Sequence, residues 1–175
     1  PLLKQYNCRA VISVIGCYSE KFSETEDFNP FYSHLSWDQI REMAESGLVE
    51  IQNHSYNLHK NSTHIGAKKI RGESNAAYAG RLSEDVGKLQ ALLKEKTGIV
   101  PTAFTYPFGA ISDASVEILR QAGFKATLSC EEKVNRITRD PNCLYRLNRF
   151  LRPSGKTSED YFFKILPASE TFFHK

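Results

Sequence analysis

Short apolar runs alternate with longer amphipathic runs along this sequence, and this alternation restricts its fold more than any other feature. The apolar, β-branched run Cys8–Gly16 predicts a first strand that is buried on both faces. Further strands are predicted at four places: 48–52, 103–106, 125–129 and 144–150. Strands separated by helices of about ten or more residues favour a parallel α/β arrangement, either an open doubly wound sheet or a closed barrel.

Two of the predicted helices carry clear local signals. Ser36 and Gln39 have the spacing of a capping box, and the helix they begin ends at Gly47. A longer helix ends near Gly98 and is predicted from apolar residues three or four positions apart: Tyr78, Leu82, Val86, Leu89 and Leu93. Weaker patterns predict three further segments, namely helices at 112–122 and 157–166 and a loop at 18–32.

Composition bounds the class of protein. A chain of 175 residues with 41% hydrophobic residues can form one domain with a sizeable core. The net charge of +3 is spread over mixed charges, which argues against nucleic-acid binding, and no run approaches the ~18 apolar residues of a membrane span. No C-x-x-C pair occurs among the four cysteines, which we expect to be buried free thiols: Cys8, Cys17, Cys130 and Cys143.

Two histidines directly after the second predicted strand are the sharpest candidates for chemistry. His54 and His59 lie where parallel α/β folds gather their ligands, at the carboxyl end of a strand. A folded loop would have to bring both rings together, and a bound metal such as zinc, cobalt, nickel or iron would stabilise that arrangement. The alternative is a chance pair in a chain with five histidines. Two ligands are also fewer than the three that a catalytic metal usually takes.

A turn with the sequence TYPFG follows the next predicted strand. Pro107 fixes the turn and Gly109 allows close approach of the backbone, while Tyr106 and Phe108 offer flat apolar walls suited to sugar rings. The amide of Phe108 is also placed to face a developing oxyanion. Because similar sequences occur in plain turns, the motif alone leaves a functional and a structural role open.

Together these segments resemble the polysaccharide deacetylase family, also called NodB-homology or carbohydrate esterase family 4. The run LSWDQIREMAESGLVEIQNHSYNLH resembles the helix and strand that lead into the family's H-S-x-x-x-H metal motif. The opening PLLKQYNCRAVISVIG resembles its helix and second strand, and FTYPFG resembles its substrate-groove motif. The spacer RGESNAAYAGRLSEDVGKLQALLKEKTG is similar to that of the branch with the poly-N-acetylglucosamine deacetylases.

The resemblance implies a distorted (β/α) barrel of about seven strands, here lacking its first strand, in a single and N-terminally incomplete domain over 1–175. It implies a divalent metal, zinc before cobalt, nickel or iron, held by His54, His59 and an aspartate. It also implies that Phe108 is the backbone oxyanion donor and that Tyr106, Pro107, Phe108 and Gly109 bind substrate. The aspartates of the family's T-F-D-D motif, the catalytic base among them, are expected ahead of Pro1 and are absent from this chain.

The implied reaction removes N-acetyl groups from an amino-sugar polysaccharide such as peptidoglycan, a chitin-like polymer or poly-N-acetylglucosamine. Such substrates lie outside the cytoplasm, so an extracellular or cell-surface location follows from the implied function. Without the base, we expect this chain to bind metal weakly and to show little or no deacetylase activity. A non-catalytic carbohydrate-binding or regulatory relative is one alternative. Another is an unrelated metal hydrolase with a different carboxylate beside both imidazoles.

Four further positions are of interest for the implied site. Thr105 stands where the family's R-x-P-Y-G form has an arginine, and no clear L-x-x-H supplies a general acid. Arg146 or Arg149 could orient groups near a late strand, although structural ion pairing is the favoured role for both. His174 is expected to lie in a terminal tail.

Overall fold

The computed structural model describes residues 1–25, 29, 31–60 and 66–165. Within these ranges strands and helices alternate, with two departures from the prediction. The elements, in chain order, are α1 (Leu2–Gln5), β1 (Ala10–Val14), α2 (Gly16–Thr25), α3 (Trp37–Glu45), β2 (Val49–Asn53), α4 (Asn75–Thr97), β3 (Ala103–Thr105), α5 (Ala114–Gln121), β4 (Ala126–Leu128) and α6 (Ser158–Ile165). His174 and the last predicted residue of the final helix, Leu166, lie outside the described residues.

The four strands form one parallel sheet in the order β1-β2-β3-β4, which confirms the predicted α/β class. Each strand pairs with the next one in sequence, so every crossover advances the sheet by one place. The carboxyl ends of neighbouring parallel strands lie at a common edge. Residues just after β2 and β3 are therefore brought side by side, and these are the segments with the two histidines and the TYPFG turn.

The core forms between this sheet and its helices, with α4 as the principal covering element. All five apolar residues that predicted α4 are completely buried. At roughly 1.5–3 kcal/mol for each large side chain removed from water, this stripe is a main source of stability. Ser36 and Gln39 form the predicted capping box at α3, and Gly98 ends α4 in the left-handed conformation.

The segment predicted to be a loop at 18–32 instead begins with a helix, α2. This helix turns Gly16, Ser19 and Phe22 inward, so its buried face carries one large apolar residue and shows no apolar stripe in the sequence. The hydroxyl of Ser23 accepts a hydrogen bond from the backbone amide of Trp37 at 2.8 Å, which ties α2 to the start of α3.

The strand predicted at 144–150 is also wrong. A short 3₁₀ turn occupies Pro141–Leu144, and only Leu147 forms a β-bridge, with Leu128. The reason is local, because Arg146 has a φ of 64° and this left-handed residue interrupts the extended backbone.

The four cysteines are free, as predicted, but they are not buried. Cys8 and Cys130 are exposed, and Cys17 and Cys143 are partly exposed. No helix in the described part of the chain has the length and apolar character that crossing a membrane requires.

Candidate active site

The rings of His54 and His59 converge at the carboxyl edge of the sheet. Their centroids are 5.0 Å apart with the planes inclined by 54°, and the ring of His59 lies 4.3 Å from that of Phe108. The structure therefore brings together the two segments that the sequence singled out, one after β2 and one after β3. This convergence requires the histidine loop to fold back on itself, because the two residues are five positions apart in the sequence.

A carboxylate on α4 holds the first half of the histidine loop in place. Asp85 accepts hydrogen bonds from the backbone amides of Tyr56 at 2.8 Å and Asn57 at 2.9 Å. Burial raises the pKa of the Asp85 carboxyl above its ordinary value, and the two amide bonds oppose that rise. Sequence inspection missed Asp85, because nothing local distinguishes it from the other charged residues of a long amphipathic helix.

Ser55 and Asn53 fix the turn at the start of the same loop. Ser55 is completely buried and has a φ of 73°, a left-handed conformation that is unusual for a residue with a side chain. The side-chain oxygen of Asn53 accepts from the amide of Ser55 at 2.8 Å, and the hydroxyl of Ser55 accepts from the amide of Leu58 at 3.1 Å. Strain of this kind, held by surrounding hydrogen bonds, is typical of functional loops.

The tautomer of His54 follows from a single contact. Its Nδ1 lies 2.7 Å from the carbonyl oxygen of Thr105 on the neighbouring strand. A carbonyl oxygen only accepts, so Nδ1 carries the proton and Nε2 keeps its lone pair. Burial lowers the pKa of His54 to about 4; the hydrogen bond to the Thr105 carbonyl opposes this fall, and the electrostatic effects of His59 and Arg149 add to it. His54 is therefore a neutral imidazole with a free lone pair at neutral pH, which is the form that binds metal.

The donor set and the spacing of the two rings fit one divalent ion. With zinc–nitrogen bonds of about 2.1 Å and a tetrahedral angle, two imidazole centroids lie about 5 Å apart, which matches the observed distance. A backbone carbonyl on the remote nitrogen, as Thr105 provides, is a common outer partner of a metal-binding histidine. Among the described residues, no group of three histidine, cysteine, aspartate or glutamate side chains could hold a metal. The hypothesis of an unrelated hydrolase predicted a carboxylate beside both imidazoles, and this part of the chain does not provide one.

The turn after β3 exposes one ring and one amide to the site. Phe108 has a φ of 57° and Gly109 a φ of 64°, and the ring of Phe108 remains 45% exposed. Hydrogen bonds from the amide of Gly109 to the oxygen of Tyr106 and from that of Ala110 to the oxygen of Pro107, each 3.1 Å, close the turn. Within the described ranges no acceptor pairs with the amide of Phe108, which leaves it able to donate to a ligand.

Tyr106 does not offer a wall to a sugar ring, contrary to the expectation from the sequence. Its side chain is completely buried, its ring packs edge-on against Phe104 with centroids 5.2 Å apart, and its hydroxyl lies 2.7 Å from that of Ser115. Pro107 is buried as well. Tyr106 instead points into the core, in a cluster that includes Phe104 and Phe124.

The two arginines near the last bridge differ in their partners. Arg146 forms the expected ion pair, with Asp113 at 2.6 Å. Arg149 forms no ion pair with any described carboxylate. Its Nε donates to the carbonyl oxygen of Ser129 at 2.6 Å, and its Nη2 lies 3.1 Å from the sulfur of Cys130. Structural ion pairing is therefore wrong for Arg149 within the described part of the chain.

Comparisons with known proteins identify the family of the chain. A family model described as polysaccharide deacetylase matches residues 1–127. The poly-beta-1,6-N-acetyl-D-glucosamine N-deacetylase of Staphylococcus aureus is 26% identical over 176 residues, covering 100% of this chain and 54% of that protein. The protein of the same name from Escherichia coli K12 is 25% identical over 152 residues, covering 75% of this chain and 22% of that protein.

The α/β fold is also found in solved structures. The BpsB deacetylase domain from Bordetella bronchiseptica superposes with a TM-score of 0.71 at 26% identity, covering 85% of this chain and 63% of that one. The chain thus spans about half the length of the Staphylococcus aureus relative and under a quarter of that from Escherichia coli.

Proposed function

Because the chain belongs to the polysaccharide deacetylase family, we propose that the natural protein hydrolyses N-acetyl groups from an amino-sugar polysaccharide. The observation that carries the proposal is the convergence of the His54 and His59 rings beside the exposed ring of Phe108. The names of the curated relatives favour a poly-N-acetylglucosamine polymer over peptidoglycan or a chitin-like substrate. Such a substrate places the reaction outside the cytoplasm, at the cell surface or in the extracellular matrix.

In this proposal His54 and His59 hold a divalent metal, with zinc ahead of cobalt, nickel or iron. When bound, the metal supplies a Lewis acid that polarises an acetyl carbonyl. The backbone oxygen of Thr105 orients His54 with its lone pair outward, and the buried site keeps that imidazole neutral. For the third protein ligand and the catalytic base, the family resemblance implies the aspartates of a T-F-D-D motif, which residues 1–175 do not contain.

The turn after β3 supplies the remaining roles. The amide of Phe108 donates a hydrogen bond to the oxyanion that forms when water adds to the acetyl carbonyl. The ring of Phe108 stacks on a sugar, while Gly109 lets the substrate approach the backbone closely. Tyr106 and Pro107 support the turn from the core side. In the fold that we propose, the four-stranded sheet is part of a distorted barrel of about seven strands.

Acetate release tests this function directly. The purified natural protein, loaded with zinc, is assayed on β-1,6-linked N-acetylglucosamine oligomers beside His54→Ala, His59→Ala and the neighbouring surface control Lys60→Ala. We expect a loss of roughly a hundredfold or more in both histidine variants, because each removes a metal ligand, and no loss in the control. A chelator should abolish the activity and zinc should restore it. Absence of acetate release by the zinc-loaded natural protein would refute the proposal, as would unimpaired histidine variants.

A non-catalytic carbohydrate-binding relative is the second candidate. The observation that favours it is that the described residues place no carboxylate with the imidazole pair to complete a metal site. The two candidates differ in one outcome, because a binding relative retains affinity for the oligomer and releases no acetate. For the chain 1–175 itself we expect weak zinc binding and little or no acetate release, since two imidazoles without the base leave water poorly activated.

A further inference from the structure

Arg149 lies at the same edge of the sheet as the imidazole pair, but it is held there by different contacts. It follows Leu147, the residue that bridges to the end of β4. Its backbone amide donates to the oxygen of Glu131 at 2.9 Å, and its Nε donates to the oxygen of Ser129 at 2.6 Å. The guanidinium is thus fixed in orientation by the backbone just beyond the carboxyl end of β4.

A short series of contacts joins the guanidinium of Arg149 to the TYPFG turn after β3. The Nη2 of Arg149 lies 3.1 Å from the sulfur of Cys130. Gly109 packs so closely against Cys130 that a Cβ built on the glycine would lie 2.8 Å from the cysteine Cβ and 3.3 Å from its sulfur. Arg149 therefore contacts, through Cys130, the turn that contains the Phe108 amide.

The guanidinium of Arg149 has N–H donors that form no hydrogen bond with any described residue. Only Nε and Nη2 have partners in this part of the chain, and one of those partners is a sulfur, which is a weak acceptor. No carboxylate of the described ranges neutralises the charge. A partly exposed arginine with a fixed plane and spare donors is suited to binding ligand oxygens.

We propose that Arg149 is a substrate-binding residue, whose guanidinium donates to an oxygen substituent of the N-acetylated sugar in the site. The proposal rests on the function proposed above and adds a residue to it. In this proposal the imidazole pair and the Phe108 amide face the acetyl group, and Arg149 contacts the sugar that bears it, beside the turn. The resulting contact selects sugars that present an oxygen at that position.

Binding measurements test the role of Arg149 without depending on turnover. The Kd of a short β-1,6-linked N-acetylglucosamine oligomer is measured by calorimetry for the natural protein, R149Q, R149K and the matched control R120Q. Arg120 is an exposed arginine on α5 that forms an ion pair with Glu117, away from the contacts that hold Arg149. We expect R149Q to weaken binding roughly tenfold to a hundredfold, as for a lost hydrogen bond to a charged group, and R149K to recover part of it. R120Q should bind as the natural protein does.

A second readout needs no variant and covers the case in which R149Q fails to fold. Titration of the natural protein with the oligomer should shift the side-chain N–H resonances of Arg149 in an NMR spectrum. An unchanged Kd in folded R149Q overturns the proposal, and so do unshifted resonances or a natural protein that binds no oligomer. If binding depends on Arg149 and no acetate is released, the sugar contact stands while the deacetylase function fails.

Discussion

Acidification is expected to destabilise the metal-free protein through His54. Burial holds the pKa of this imidazole at about 4, against 6.5 for the ordinary side chain. Between these two values the unfolded chain binds a proton that the folded protein does not, so the free energy of unfolding falls as the pH falls. A shift of this size predicts a loss of about 2 kcal/mol between about pH 7.5 and pH 5, and about 3 kcal/mol in all below pH 4.

Urea unfolding measures this effect when a chelator is present throughout. The natural protein is compared with His54→Gln, which keeps a polar side chain at the position but does not titrate. Other titrating groups, His34 among them, are common to both proteins, so their contributions cancel in the difference. We expect the natural protein to lose about 2 kcal/mol more than the variant on going to about pH 5. Equal losses in the two proteins would contradict the reasoning, as would an NMR titration midpoint for His54 at or above its ordinary pKa.

Three substitutions test the packing around the site. Asp85→Ala leaves two amides of the histidine loop without their acceptor. We expect it to lower the free energy of unfolding in urea by about 2–4 kcal/mol and to reduce the affinity for zinc. Glu84→Ala, at the exposed neighbouring position, should change neither the stability nor the zinc affinity. Tyr106→Phe removes one buried hydroxyl contact and should cost about 1 kcal/mol while oligomer affinity stays unchanged; reduced affinity would show that the ring reaches the sugar after all. Gly109→Ala places a side chain on a residue in the left-handed conformation and against Cys130, so it should lower the free energy of unfolding by more than about 1 kcal/mol. A smaller loss would show that the turn adapts easily.

The parts of the fold that follow from local patterns were predictable. The apolar stripe of α4 and the capping box at Ser36 each depend on residues within a few positions of one another. The position of the histidine pair was predictable for a similar reason, because it follows a strand and parallel strands end at a common edge. The α2 helix was not, since its buried face holds Gly16, Ser19 and Phe22 and its place is fixed by contacts with α3.

The supporting contacts of the site could not be predicted from the sequence. Asp85 contacts the histidine loop from 28 and 29 positions away, and Arg149 reaches Cys130 from 19 positions away. Such pairs depend on how helices and strands pack, which one sequence does not specify at the level of single contacts. The orientation of Tyr106 has the same origin, because a strand buried on both faces gives no periodic signal of which side chain faces the core.

The partner of the His54 Nδ1 is the main chain of position 105, and this has a consequence for how the protein tolerates mutation. Every amino acid has a carbonyl group there, so a replacement of Thr105 changes the side chain and leaves the acceptor in place. The path of the backbone therefore determines which imidazole nitrogen of His54 carries the proton. A substitution at position 105 does not remove the acceptor that fixes it. A sequence can therefore carry a different residue at this position, such as threonine where the R-x-P-Y-G form of the motif has arginine, and still present the same nitrogen lone pair.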